Sequence, residues 1–266
     1  MGFDRRKFLK LSGLTFLGFA AGSPARVFGQ QDTTMVDSTA TGDGTITPIS
    51  GSRWAMLVDL RACNEKGGED CDDCIAACHR VHNVPEFDDS HDEIKWIWKT
   101  SFHSAFHSQE HEFLDEAITH GNTMVLCNHC DRPPCVRVCP TQATWKRESD
   151  GIVMMDMHRC IGCRYCVVAC PYGARSFNFR DPRPHIEEIN PKFPTRMRGV
   201  VEKCNFCAER LATGKMPACV KACKHGALKF GDLEDPQSEV RKILGDGFSI
   251  RRRPELGTQP QVYYLV

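Results

Sequence analysis

Sixteen cysteines fall into four sets of four along 266 residues, and any fold for this chain has to accommodate that spacing. The first set is Cys63, Cys71, Cys74 and Cys78. The second is Cys127, Cys130, Cys135 and Cys139, followed by Pro140. The third is Cys160, Cys163, Cys166 and Cys170, followed by Pro171, and reads C-x2-C-x2-C-x3-C-P. The fourth is Cys204, Cys207, Cys219 and Cys223.

The third spacing is the one that holds 4Fe–4S clusters. Three closely spaced thiolates wrap three corners of a cubane, and the intervening backbone N–H groups turn toward its sulfurs. The fourth thiolate leaves on a short helical stretch to reach a neighbouring cluster, and proline then turns the chain away. Two sets together make two clusters, so sixteen ligands imply four [4Fe-4S] clusters. Structural zinc is the first alternative, and uses two C-x2-C pairs per tetrahedral site. A third cysteine within a few residues, in three of the sets, fits zinc poorly. A disulfide framework is compatible with an even count, but leaves the repeated spacing unexplained. Covalent haem needs C-x-x-C-H; His79 follows Cys78, but three residues separate Cys78 from Cys74.

Local patterns agree with this chemistry. Residues 151–156 read as a strand entering the third set, with Ala143–Lys146 as hairpin partner across a Ser149-Asp150-Gly151 turn. Trp54–Leu60 reads as a matching strand before the first set, and 227–231 and 262–266 as further strands. The recurring strand, cysteine loop, short helix and strand imply repeats of a ferredoxin unit. The expected fold class is α+β: interleaved ferredoxin-like two-cluster units with short strands, short helices and long insertions. An outer unit comes from 53–78 and 200–233, and an inner unit from 123–180. An insertion spans 79–122 and a C-terminal extension 234–266.

Charge excludes one function class. Lys and Arg total 34, as do Asp and Glu, and four clusters add about eight negative charges. A polyanionic nucleic-acid partner is therefore not expected. Residues 1–29 read as an export leader: Arg5 and Arg6 precede Phe8-Leu9-Lys10, then a mild apolar run over 11–21 and small residues. The adjacent arginines resemble the twin-arginine signal, with Asp4 where Ser or Thr is commoner. That route carries folded proteins, so a metal cofactor loaded in the cytoplasm can cross intact. The implied location is the periplasm or the outer face of the cytoplasmic membrane. Residues 30–50, rich in Thr, Ser, Asp and Gly, read as a linker.

Several other features have plainer readings. His103, His107 and His111 recur every four residues, the spacing of one helix face, and read as a solvated face rather than a metal site. Trp96 and Trp98 alternate as on a strand and read as core. Arg159, Arg164, Arg175 and Lys203 lie beside cysteines, where positive charge favours a reduced cluster. Phosphate loop, hydrolase triad and dinucleotide fingerprint are all lacking, so no catalytic residue is assigned.

The motifs Cys127-Asn128-His129-Cys130, Pro133-Pro134-Cys135, Cys160-Ile161-Gly162-Cys163 and Lys203-Cys204-Asn205-Phe206-Cys207 resemble a known family over residues 53 to 233. That family is the four-cluster iron–sulfur subunits of membrane-linked oxidoreductases, the NrfC/PsrB/TtrB/DmsB type. Within it, Trp96–Lys99, Pro171–Asn178, Glu202–Arg210 and the closing Val262–Val266 are similar to DsrO-type subunits of the Dsr membrane complex of dissimilatory sulfur metabolism. The resemblance implies a non-catalytic wire docked on an NrfD-type quinone-interacting membrane subunit, with a multihaem cytochrome c and other Dsr subunits as further partners. It also implies a ligand pairing. One cluster takes Cys63, Cys71, Cys74 and Cys223; a second takes Cys78, Cys204, Cys207 and Cys219. A third takes Cys127, Cys130, Cys135 and Cys170; the last takes Cys139, Cys160, Cys163 and Cys166. The departure is at Cys63, where seven residues precede Cys71 and many relatives have two. The insert 64–70 reads as a flexible polar loop that closes at small cost.

Overall fold

The computed structural model describes residues 47–68 and 70–266. The leader read over 1–29, with Arg5 and Arg6, lies outside the described residues, as does most of the linker read over 30–50.

In chain order, β1 (Trp54–Asp59) leads into α1 (Leu60–Gly67) and α2 (Asp73–His82). Next come β2 (Ile97–Ser101), α3 (Phe102–Phe106), α4 (Glu116–Thr119) and β3 (Asn122–Leu126). The middle of the chain holds α5 (Pro134–Arg137), β4 (Thr144–Lys146), β5 (Val153–Met155), α6 (Tyr165–Ala169) and β6 (Ser176–Phe177). The last part holds β7 (Val201–Glu202), α7 (Ala208–Leu211), α8 (Ala218–Ala222), β8 (Leu228–Asp232), α9 (Glu239–Asp246), β9 (Ser249–Ile250) and β10 (Val262–Leu265).

The largest sheet has the order β8-β1-β10-β9. Its strand β1 is a continuous apolar run because both of its faces are covered. Trp54, Met56 and Val58 enter the main core, where Trp54 stacks on Phe230 at 4.9 Å. Ala55 and Leu57 face the other way, onto Val240 of α9. β1 pairs antiparallel with β8, Trp54 opposite Asp232, and parallel with β10, Met56 opposite Val262. The final residues are thus a central strand beside the first one. The stretch 234–266 is built into this sheet rather than appended to it.

The segment 79–122 is built in likewise. Its β2 pairs antiparallel with β3, Ile97 opposite Leu126, which delivers the chain directly to Cys127. Trp96 is 1% exposed, in agreement with a core reading, and Trp98 is half-buried. The histidine face is not formed: α3 ends at Phe106, so His107 and His111 lie beyond it. His103 Nδ1 instead meets Glu110 Oε2 at 2.6 Å.

The insert before Cys71 also differs from the expected loop. Asp59 caps α1 by accepting from the Ala62 N–H at 2.9 Å, and the helix carries Cys63 on to Gly67. Gly68, at φ +69°, ends it in a conformation that side chains disfavour. The expected hairpin before the third cysteine set is β4 against β5, with Thr144 opposite Met155. No described helix is long and apolar enough to cross a membrane.

Candidate metal centre

All sixteen thiols are unbonded to one another. Cys63, Cys71, Cys74 and Cys223 line one small cavity with Met124 and His225. Burial, then repulsion from Cys63, Cys223 and Cys71, pushes the Cys74 thiol up to about 12. Cys63 is raised by burial and by Cys223 and Cys71, so its place on α1 brings it to the others. Around Cys78, burial and then Cys204, Cys219 and Cys207 push the thiol well up. Helices α2 and α8 pack together to make this second group. Cys130 rises to about 12 through burial and Cys127, with Cys135 and Cys170 adding.

The fourth group is only partly drawn together. Cys166 is raised by burial, opposed by Arg175, with Cys135 and Cys160 adding. Cys163 is exposed. Cys139 follows α5, which packs on α6. Burial raises Cys139, but hydrogen bonds from the Thr144, Thr141 and Ala143 backbone and the Thr141 hydroxyl overcome it, so the thiol sits below its ordinary value.

The groups also lie close to one another: Cys219 is near Cys74, Cys204 near Cys127, and Cys166 near Cys135. The four groups therefore adjoin in a row: that of Cys63, then of Cys78, then of Cys127, then of Cys160.

The donor set fits an iron–sulfur cubane. Every group offers sulfur, the ligand of these clusters. Backbone amides turn onto sulfur as well: the Phe206 N–H donates to Cys204 Sγ at 3.4 Å, and the Ala218 N–H to Cys207 Sγ at 3.3 Å. His129, Arg164, Phe206 and Cys207 all have positive φ, which winds these loops tightly. When bound, such clusters supply one-electron carriage; the protein supplies spacing, insulation and tuning.

Two of the four cations expected beside the cysteines are buried, and two are not. Arg175 is 4% exposed and donates to Cys135 Sγ at 3.1 Å and to Thr144 Oγ1 at 2.7 Å. Lys203 is 1% exposed and donates to the carbonyls of Val153 and Cys204. Arg159 pairs with Asp156 at 3.4 Å on the surface. Arg164 lies over the rings of Phe177 and Phe179. Replacing Arg175 with methionine is expected to lower the reduction potential at the Cys135 site. A hydrogen bond from a charged donor is worth about 1.5–3 kcal/mol in all, and only the share gained on reduction moves the potential, so about 60–120 mV is the upper bound for one electron. Anaerobic redox titration followed by electron paramagnetic resonance checks this.

Other site residues lie in or near these motifs, but the sequence does not show what they touch. His129 stacks on Phe206 at 3.7 Å, and its Nδ1 accepts the Val153 N–H at 3.1 Å. Both rings occupy the third position of a C-x2-C loop, so they meet where two thiol groups adjoin. Burial, with Lys203 and Arg175 adding, holds His129 well below the ordinary imidazole value. His82 Nε2 meets Glu209 Oε1 at 2.9 Å beside Cys78 and Cys207. Burial raises Glu209, but the hydrogen bonds from His82 and Asn205 overcome it, so its carboxyl sits below the usual range. Glu202, fully buried, accepts from Trp96 Nε1 at 3.0 Å and Asn178 Nδ2 at 2.6 Å, and pairs with Arg196 at 2.6 Å. The residues to either side of a C-x2-C run are readable; their partners outside the run are not.

A chain of 44% identity over 80% of this sequence, covering 82% of the relative, is the Hdr-like menaquinol oxidoreductase iron-sulfur subunit 1 of Archaeoglobus fulgidus. The chain belongs to the NrfC/PsrB/TtrB family of iron–sulfur electron-transfer subunits. A tetrathionate reductase subunit of Salmonella typhimurium is 38% identical over 80% of this chain and 72% of its own length. The menaquinone reductase iron-sulfur cluster-binding subunit of Nitratidesulfovibrio vulgaris is 34% identical over 80% of this chain and 88% of its own. The family model of the 4Fe-4S dicluster domain matches residues 122–182 and 190–233, and so spans the second, third and fourth cysteine sets. Like this family, the chain is a non-catalytic electron-transfer subunit of an oxidoreductase complex, with a ferredoxin-like α+β fold and 4Fe–4S cofactors.

Proposed function

We propose that the chain carries four 4Fe–4S clusters in a row and passes single electrons between a quinone-reactive membrane subunit of the NrfD type and redox partners of a respiratory complex. The observation that carries this reading is the gathering of the cysteines: Cys63, Cys71, Cys74 and Cys223 line one cavity, packed helices bring Cys78 to Cys219, and Cys74 lies near Cys219, Cys127 near Cys204 and Cys135 near Cys166. The ligand pairing is the one stated from the resemblance: Cys63, Cys71, Cys74, Cys223; Cys78, Cys204, Cys207, Cys219; Cys127, Cys130, Cys135, Cys170; Cys139, Cys160, Cys163, Cys166. Arg175 and Lys203 tune the middle of the row, and the buried aromatic pair His129 and Phe206 keeps water out of one junction.

Relatives named for menaquinol oxidation and menaquinone reduction support the quinone link. The paired Arg5 and Arg6 support export by the twin-arginine route to the outer face of the cytoplasmic membrane. The narrower assignment is a DsrO-type subunit in dissimilatory sulfur metabolism, beside a multihaem cytochrome c. A second reading, service to a molybdopterin reductase, is favoured by the relative named for tetrathionate reduction. Deleting the gene separates the two: loss of sulfate- or sulfur-dependent growth supports the first, and loss of tetrathionate or polysulfide reduction alone supports the second. The four-cluster statement is tested by metal analysis of anaerobically purified protein. About sixteen irons with equal acid-labile sulfide are expected; zinc in colourless protein overturns the reading.

A further inference from the structure

One end of the row opens at the surface. Cys163 is the one exposed cysteine of the sixteen. Around it Ile161 is 66% exposed, Tyr165 61% and Val168 87%. Tyr165 and Val168 stand three apart on α6 and share a face, while Cys166 on that helix is buried. The loop is pressed into this shape from behind. Gly162 has φ +69°, and a Cβ there would come within 2.4 Å of the Gly199 carbonyl oxygen. Clustered apolar side chains of this exposure are unusual on a surface that faces only water.

The rim of this face is cationic. Between Asp156 and Asp181 the chain has no Asp or Glu and carries four arginines, of which Arg175 is buried, Arg180 pairs with Asp92, and Arg159 and Arg164 lie nearest the face. Arg164 is fixed over Phe177 and Phe179, 5.4 and 5.6 Å from their centroids. Arg137, at the end of neighbouring α5, is exposed as well. Asp156 is the nearest carboxylate along the chain and is paired with Arg159. At the other end of the row, Asp72 and Asp73 beside Cys71 and Cys74 pair with Lys99 and Lys224.

We propose that the face formed by Ile161, Tyr165 and Val168 around Cys163 is the docking surface for a protein subunit of the same complex that presents an apolar patch rimmed by carboxylates. The proposal rests on the reading of the chain as an electron wire. An exposed ligand marks the place where an electron can leave, and a partner there must hold a redox centre. A lipid surface holds none and would insulate that end. A second copy of this chain would set arginine rim against arginine rim, which repels. Apolar contact supplies affinity at the centre, and the guanidinium rim supplies orientation and a salt-sensitive on-rate.

The test adds full-length, cluster-loaded protein back to membranes from a strain that lacks this gene, and reads both rebinding and quinol-driven reduction. Val168→Asp, at a site too exposed to disturb folding, is expected to weaken rebinding about tenfold or more. The double variant Arg159→Glu with Arg164→Glu is expected to slow rebinding, and the parent protein to rebind more slowly as salt rises. Phe248→Asp, which changes an apolar residue 74% exposed elsewhere, is expected to rebind as the parent does. Parent-like rebinding of Val168→Asp, or equal weakening by Phe248→Asp, overturns the proposal. So does binding of the parent to protein-free phosphatidylglycerol vesicles that matches its binding to membranes and is lost in Val168→Asp, because that assigns the face to lipid. Iron, sulfide and paramagnetic resonance of each preparation separate the two failures. Protein without clusters overturns the wire itself; loaded Val168→Asp that rebinds normally overturns only the docking surface.

Discussion

Replacing Glu202 with glutamine is expected to destabilise the loaded protein by about 3–5 kcal/mol, the cost of leaving one member of a buried ion pair uncompensated. Glu202 is 0% exposed and Arg196 3%. The carboxylate accepts from Trp96 Nε1, Asn178 Nδ2 and Arg196 Nη2. The Arg196 guanidinium also donates to the carbonyls of His82 and Asn83, at the end of α2. One carboxylate thus ties β7 to the end of the helix that carries Cys74 and Cys78, and to the segment before β2. Glutamine keeps the shape and part of the hydrogen bonding but leaves the Arg196 charge buried without its counter-ion. Anaerobic denaturant midpoints of the two proteins measure the change. Glu187→Gln, on an exposed side chain, should stay within about 0.5 kcal/mol of the parent. A difference under about 1 kcal/mol for Glu202→Gln would show that water reaches Arg196.

Removing iron and sulfide with a chelator is expected to abolish cooperative unfolding, because the segments around the thiols cannot hold their shape alone. Helices α5, α6, α7 and α8 have only four or five residues each, far below the length at which a helix is stable by itself. The metal–thiolate bonds supply the missing free energy, as in other small metal-dependent folds. The pH dependence has a definite sign. Burial and neighbouring thiols push Cys74, Cys130 and Cys204 up to about 12, from an ordinary value of 9.0. Between those values a folded metal-free chain keeps protons that an unfolded chain has released. Folding then binds protons, so whatever stability the metal-free fold retains falls as pH rises from about 9 to 12. Cluster insertion displaces the same protons, so it strengthens as pH rises. Reconstitution with iron and sulfide should therefore be more complete at about pH 8.5 than at about pH 6.5. Circular dichroism and visible absorbance follow both effects. A chelated protein that still melts in one sharp step would overturn the first expectation, and equal loading at both pH values the second.

Much of the site is legible because ligand spacing is a local property. The C-x2-C runs, the prolines after Cys139 and Cys170, and the hairpin into Cys160 all lie within short windows, and the structure shows their elements where the pattern puts them. Cys63 is less legible. A seven-residue gap of polar residues suggests a loose loop, yet Asp59 caps a helix through it and Gly68 stops it, and both signals are present in the chain. The histidines at 103, 107 and 111 fail in the opposite sense: a helical spacing without a helix long enough to use it.

The residue order by itself determined the chemistry: sulfur ligands in four sets, wrapped by short loops, with no catalytic group beside them. Three of the four donors in each set arrive within a short window, and that much of the coordination can be read along the chain. Only the tertiary structure decided how the two units meet, where the last strand lies, which arginine is buried against a thiol and which cysteine stays at the surface. Those outcomes depend on contacts such as Cys74 with Cys219, Met56 beside Val262 and Glu202 with Trp96. Each joins residues a hundred or more positions apart, and packing, not spacing, brings them together.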